Sequence, residues 1–328
     1  MMTEFHDPEP GRPYVRVQAG TPTDPLSVDH ARLFDLYRQH GAVLLRGFDL
    51  DLIRFRALTD QWCSSSVFNE SPDRELLDAE HNIQSVNGGV DAFPLHPELS
   101  REPWKPDVCF FACLNAPARG GETTICDGTA LARALPGDVR DGLARHRLLY
   151  IQVATPQTLQ YWLGYDRPDD ARLARPPENC PYRFIRTPRG IVRAFTRPAL
   201  HRPMFSTDAA FGNFLLFAND YLKRKGFPVL ETGQPVPDVW LDAVRTAAEP
   251  LTVPIQWQKG DVIILDNSRF MHGRRRITDS ADRLIASYFG YLRDAIPDAE
   301  EPPNAPWRQQ MFRPPITASG QPGGALSV

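Results

Sequence analysis

Three side chains, far apart along the chain, have the chemistry to meet at one metal ion. Phe93-Pro94-Leu95-His96-Pro97-Glu98 sets an imidazole and a carboxylate two residues apart. On an extended segment such residues project to one face. A lone His-x-Glu recurs by chance, and a surface histidine beside a solvated glutamate reads the same way. His272 changes the balance, because it follows an apolar run, Val262 to Leu265, and its Asp266-Asn267 exit. Two histidines and one carboxylate on one face form the facial triad of non-haem Fe(II), whose open positions can take a bidentate co-substrate and O₂. The same donors also suit Zn²⁺ in a jelly-roll binding module without turnover. Arg283 opens the next apolar run, where its planar fork can grip a carboxylate.

These residues need elements to hold them. The patterns predict a helix from Ser27-Val28-Asp29 to the stop at Gly41, a strand at Ala42 to Leu45, and a second helix after Asp49 or Asp51 burying Phe55, Leu58 and Trp62. Val108 to Leu114 is apolar on both faces, as in a strand buried inside a domain. Thr123 to Cys126 reads as a strand, followed by a short helix capped by Asp127 or Thr129. A helix at Asp238 to Glu249 precedes strands at Thr252 to Trp257, Val262 to Leu265 and Leu284 to Tyr291. Residues 150 to 235 read as loops and short elements, a lid-like insertion reaching to about 250. The expected organisation is a loosely ordered 1–26, one domain over 27–316 and a flexible tail at 317–328.

Composition limits the function classes. The 328 residues carry 37 basic and 40 acidic side chains, net −3, which disfavours bulk capture of nucleic acid or an anionic membrane. No window is long and apolar enough to span a bilayer, and no apolar leader opens the chain, so a cytoplasmic protein is expected. The 32 prolines are roughly twice the usual share, which opposes long helices and favours a mainly β fold with flanking helices. Five cysteines with no C-x-x-C pair are expected to stay reduced.

Taken together, HGAVLLRGF at 40–48, FPLHPELS, GGETTICDG, DNSRFMHGR and DRLIASYFGY resemble the taurine dioxygenase (TauD/TfdA) and clavaminate synthase-like group of Fe(II)/2-oxoglutarate-dependent oxygenases. That resemblance spans most of the chain and implies a double-stranded β-helix, the cupin-like jelly-roll. It implies that His96, Glu98 and His272 are the iron ligands. Thr123 and Arg283 would hold 2-oxoglutarate, Arg283 at the distal carboxylate. A ferrous dication, Glu98 and the 2-oxoglutarate dianion leave one negative charge, which Arg283 neutralises. The implied reaction is hydroxylation of an unactivated C–H bond of a small amino-acid-like substrate, free or bound to a carrier protein, in natural-product biosynthesis. Succinate and CO₂ are released, and desaturation, epoxidation or cyclisation are the alternatives within the family.

Departures narrow this further. The taurine-specific enzymes carry a second arginine four residues past the first, where this chain has Ser287, so taurine is disfavoured. Related halogenases lack the carboxylate that Glu98 supplies. Ser85, Asn87 and Asn219 are candidate substrate contacts. Arg274 to Arg276 read as a solvated or carboxylate-paired edge, and His81, His146 and His201 as structural or exposed. Oligomeric state leaves no trace in the sequence.

Overall fold

A computed structural model describes residues 3–279 and 283–315 of the chain. Two sheets face each other across the core. The larger has nine strands. Its ordered path runs Thr3–His6, Val15–Ala19, Ala42–Arg46, Val262–Asp266, Val108–Asn115, Leu284–Leu292, Ile83–Ser85 and Leu76–Asp78, with Cys63–Ser66 also paired to Leu284–Leu292. The smaller runs Val253–Ile255, Thr123–Asp127, Phe270–Arg274 and Phe93–His96. This is the jelly-roll that the strand pattern and the resemblance predicted.

Strand alternation explains why Val108–Asn115 is apolar on both faces. Cys109, Phe111 and Cys113 join Leu44, Ile263, Leu265, Ile285 and Phe289 against the smaller sheet's Ile125, Ile255 and Phe270. The intervening Phe110 and Ala112 turn outward with Val43, Leu45, Ile264 and Tyr288 to meet Leu33, Tyr37, Phe55, Leu58 and Trp62 of two helices. Those helices are His30–His40 and Leu52–Trp62, N-capped by Asp29 and Asp51. Gly41 ends the first at φ 75°, and a Cβ there would lie 2.8 Å from Arg269 Cδ, so the turn into Ala42–Arg46 requires glycine. On the smaller sheet's outer face, Cys126 and Met271 pack with Leu131, Leu143 and Val244 from helices Gly128–Ala134, Gly137–Arg145 and Asp238–Ala248. All five cysteines are free.

Two expectations require correction. Residues 3–26 are not loosely ordered: Val15–Ala19 pairs in parallel with Ala42–Arg46 and buries Val15, Val17 and Ala19. Five alternating residues among prolines are too short a pattern to stand out. Within 150–235, in place of loops, Arg183–Thr187, Gly190–Pro198, Arg147–Val153 and Val229–Leu230 form a four-stranded antiparallel sheet. Its alternation is masked because Arg193 is buried, paired with Glu102 at 3.3 Å and donating to Tyr182 Oη at 2.9 Å. The tail at 317–328 lies outside the described residues.

A buried network braces the turn below the smaller sheet. Arg308 donates from both Nη atoms to Asp107 at 2.8 and 2.9 Å, and the Asp107 carbonyl accepts from Asn267 N at 2.9 Å. Arg308→Met is expected to cost about 2–3 kcal/mol. That lies at or just below the low end for broken buried pairs, because the guanidinium is 17% exposed. An unfolding free energy from urea titration that falls by less than a tenth of that amount would show that Asp107 finds other partners.

Candidate metal centre

His96 closes its strand and lies opposite His272 in the neighbouring one, so the ladder itself sets the two imidazoles side by side, ring centroids 4.6 Å apart. On the other side of Phe270–Arg274, Ile125 is the partner of His272, which puts Thr123 on the adjoining strand opposite Arg274. Glu98 arrives differently from its expected place on an extended segment. The strand ends at His96, and Glu98 lies in the turn that follows, with Leu99 at φ 51°. Asn267 fixes that turn. Its Oδ1 accepts from Glu98 N at 2.8 Å, and its Nδ2 donates to Glu98 O at 3.0 Å and Pro106 O at 2.9 Å. A left-handed non-glycine residue beside a candidate ligand stores strain that these bonds hold in place.

The donor atoms of His96, Glu98 and His272 all lie within 4.8 Å of one another, with His272 Nε2 3.6 Å from Glu98 Oε2. One cation can bridge that set. The protonation states agree with this. His96 Nδ1 donates to the Pro94 carbonyl at 2.8 Å, which leaves Nε2 as the free lone pair. Burial, reinforced by the charge of His272, pushes His96 down to about 3, so the ring is neutral at ordinary pH. Burial alone would raise Glu98, but the Arg74 guanidinium and the neighbouring His272 overcome it and hold the carboxylate at about 2. Asn69 Nδ2 donates to Glu98 Oε1 at 2.6 Å, orienting it as outer-shell partners orient metal ligands. Phe217 covers the His96 ring at 4.4 Å and Phe111 flanks His272 at 4.9 Å, screening the donors from water.

Arg283 stands at the head of Leu284–Leu292. Its Nε is buried without a hydrogen-bond partner, and Nη2 donates to Gly121 O at 3.3 Å. Among the described residues no carboxylate pairs with it. Burial and the like charge of Arg274 push it down to about 10. Gly121, at φ 73°, makes the room: a Cβ there would lie 3.2 Å from Arg283 Nε and 2.8 Å from Ile277. Thr123 is buried, and its Oγ1 accepts from Trp257 Nε1 at 3.2 Å.

The weaker candidates each make a contact within the scaffold. Ser85 Oγ accepts from Glu75 N at 2.8 Å, Asn87 Nδ2 donates to Ser71 Oγ, and Asn219 Nδ2 donates to Leu215 O within its own helical turn. Arg274 is neither solvated nor paired with a carboxylate in a salt bridge. It is buried, lies over Phe93 at 4.3 Å, and donates to the carbonyls of Asn87, Gly88, Gly89 and Asp91. His201 is half-buried and bonded to Ser268 O at 2.6 Å, while His81 and His146 pair with Asp78 and Glu231. Asn69, Arg74 and Asn267 are contributors that spacing did not single out. No helix among the described residues is long and apolar enough to cross a membrane.

Residues 8–288 match the family described as Taurine catabolism dioxygenase TauD, TfdA family. The chain is 22% identical over 335 residues to the dapdiamide synthesis protein DdaC of Enterobacter agglomerans, covering 90% of this chain and 96% of that one. Among solved structures it resembles PvcB, an Fe, alpha-ketoglutarate dependent oxygenase from an isonitrile synthetic pathway, with TM-score 0.57, 15% identity, and 90% and 93% of the two chains covered. It also resembles AAD-2 in complex with Mn(II) and N-oxalylglycine, with TM-score 0.54, 13% identity, and 91% and 99% covered. These structural likenesses bear on the fold.

Proposed function

The chain belongs to the TauD/TfdA family of dioxygenases, and from that premise we propose that it uses Fe(II), 2-oxoglutarate and O₂ to hydroxylate an unactivated C–H bond of a small amino-acid-like substrate in a natural-product pathway. The observation that carries this reading is one cluster of two imidazoles and a carboxylate, joined in the same fold by an arginine whose buried Nε has no hydrogen-bond partner among the described residues. DdaC, named for dapdiamide synthesis, and PvcB, from an isonitrile pathway, support the biosynthetic setting.

His96, Glu98 and His272 would hold the iron, leaving one face of its coordination sphere to co-substrate and O₂. Iron and 2-oxoglutarate together supply the oxidising power of O₂ that breaks the C–H bond, one oxygen atom entering product and the other succinate, with CO₂ lost. Arg283 would pair with the distal carboxylate of 2-oxoglutarate and Thr123 would donate its hydroxyl hydrogen to a carboxylate oxygen, fixing which end of the co-substrate faces the metal. Asn69 and Asn267 keep Glu98 aimed through these events. Phe217 and Phe111 exclude bulk water around the ligands.

The test has two parts. Under anaerobic conditions the folded protein with Fe(II) and 2-oxoglutarate should develop a weak visible charge-transfer band. In air, a mass-spectrometric screen of free and carrier-linked amino acids should find one that gains a single oxygen in step with succinate. Folded protein that gives no band would overturn the assignment of the site.

A further inference from the structure

A second guanidinium reaches the metal centre from a loop that the proposed chemistry leaves unused. Arg74 lies between strands Cys63–Ser66 and Leu76–Asp78, with its side chain 6% exposed. Nη1 donates to Ser287 Oγ at 2.9 Å, and Nη2 stands 3.4 Å from Glu98 Oε2. Nε is buried with no partner, and the guanidinium lies 5.0 Å over the Phe289 ring. If its purpose were to brace Glu98, a two-pronged contact would be expected, since that is how an arginine fork best engages a carboxylate. The single long contact and the orphaned Nε leave most of the fork available.

Charge bookkeeping sharpens the point. A dication, Glu98, the 2-oxoglutarate dianion and Arg283 together sum to zero, so Arg74 adds an uncompensated positive charge in a dry pocket. Two other buried arginines have company of their own. Arg193 pairs with Glu102, and Arg274 donates to the 87–91 carbonyls beside the favourable field of Asp91. One monoanionic group on the substrate closes the account.

Building on the iron and 2-oxoglutarate reading above, we propose that Arg74 anchors a free carboxylate of the primary substrate beside the metal. The enzyme therefore takes a free acid, in preference to one masked as an ester, an amide or a carrier thioester at that carboxyl. Ser287 holds the guanidinium in place from the strand that Arg283 opens.

The experiment uses the full chain loaded with Mn(II) and N-oxalylglycine, a non-turning-over stand-in for 2-oxoglutarate. Free L-amino acids and their methyl esters are the probes, read by Mn(II)-induced proton relaxation and thermal shift. At least one acid should bind about 30-fold or more tightly than its ester, the scale expected when a buried charge loses its partner. Arg74→Gln, read at Mn(II) and N-oxalylglycine concentrations that saturate the variant, should erase that difference, and Arg74→Lys should restore part of it. The inference is overturned if no acid outbinds its ester, if a carrier-linked aminoacyl thioester binds more tightly than the acid, or if Arg74→Gln abolishes Mn(II) binding. Failure of the wild-type protein to take up Mn(II) with N-oxalylglycine would instead overturn the underlying reading of the site, and with it this one.

Discussion

Replacing His272 by alanine should bring 2-oxoglutarate-dependent succinate release down to background. The imidazole is one of three donors and sits mid-ladder between His96 and Ile125, so no neighbouring side chain can take its place. Loss of a mere outer-shell partner costs roughly 10–100-fold in metal affinity or activity, and loss of a ligand should exceed that. The strand keeps its backbone hydrogen bonds, so far-ultraviolet circular dichroism should be unchanged. His201→Ala is the matched control, because that histidine is half-buried and bonds to Ser268 O, away from the cluster. It should lower stability while retaining turnover in the folded fraction. Succinate production by His272→Ala above a few per cent of wild type would remove this histidine from the metal.

Arg283→Gln should separate co-substrate binding from metal binding. The half-buried guanidinium lies beside Gly121 with its Nε unpartnered among the described residues, so it contributes little to the fold that glutamine would forfeit. Truncating one side of a buried charge pair costs about 2–5 kcal/mol, which translates to a rise of about 30-fold or more in the KM for 2-oxoglutarate. The kcat at saturating 2-oxoglutarate should fall much less, and Fe(II) affinity measured without 2-oxoglutarate should hold. Initial rates across a 2-oxoglutarate series decide it: an unchanged KM would mean that another cation anchors the co-substrate.

The candidate triad and the two residues proposed for the co-substrate could be picked out because most of them lie in short runs whose neighbours signal their element. His272 follows the apolar strand Val262–Asp266, and Arg283 stands at the head of Leu284–Leu292. The geometry of Glu98 could not be, since a two-residue spacing cannot reveal that the strand stops at His96 and the chain turns. Asn69 and Arg74 sit in a polar, proline-containing stretch with no periodicity, and act on Glu98 through tertiary contacts alone. Arg274 misleads for a related reason. A run of three arginines looks solvated, but alternation along Phe270–Arg274 turns the first inward, where backbone carbonyls replace water. The same blindness hid the four-stranded sheet over 147–230, where a buried ion pair breaks the apolar rhythm.

The cross-strand placement of His96 and His272 has a consequence for how the protein handles iron scarcity. Their separation is set by a hydrogen-bonded ladder that closes during folding, and Asn267 clamps the third donor through the main chain on both sides of its residue. Little of the site is left to organise when metal arrives, unlike small zinc modules that collapse on chelation. Stripping iron should therefore leave an intact, refillable vessel, and activity should return on resupply without a chaperone or a refolding lag.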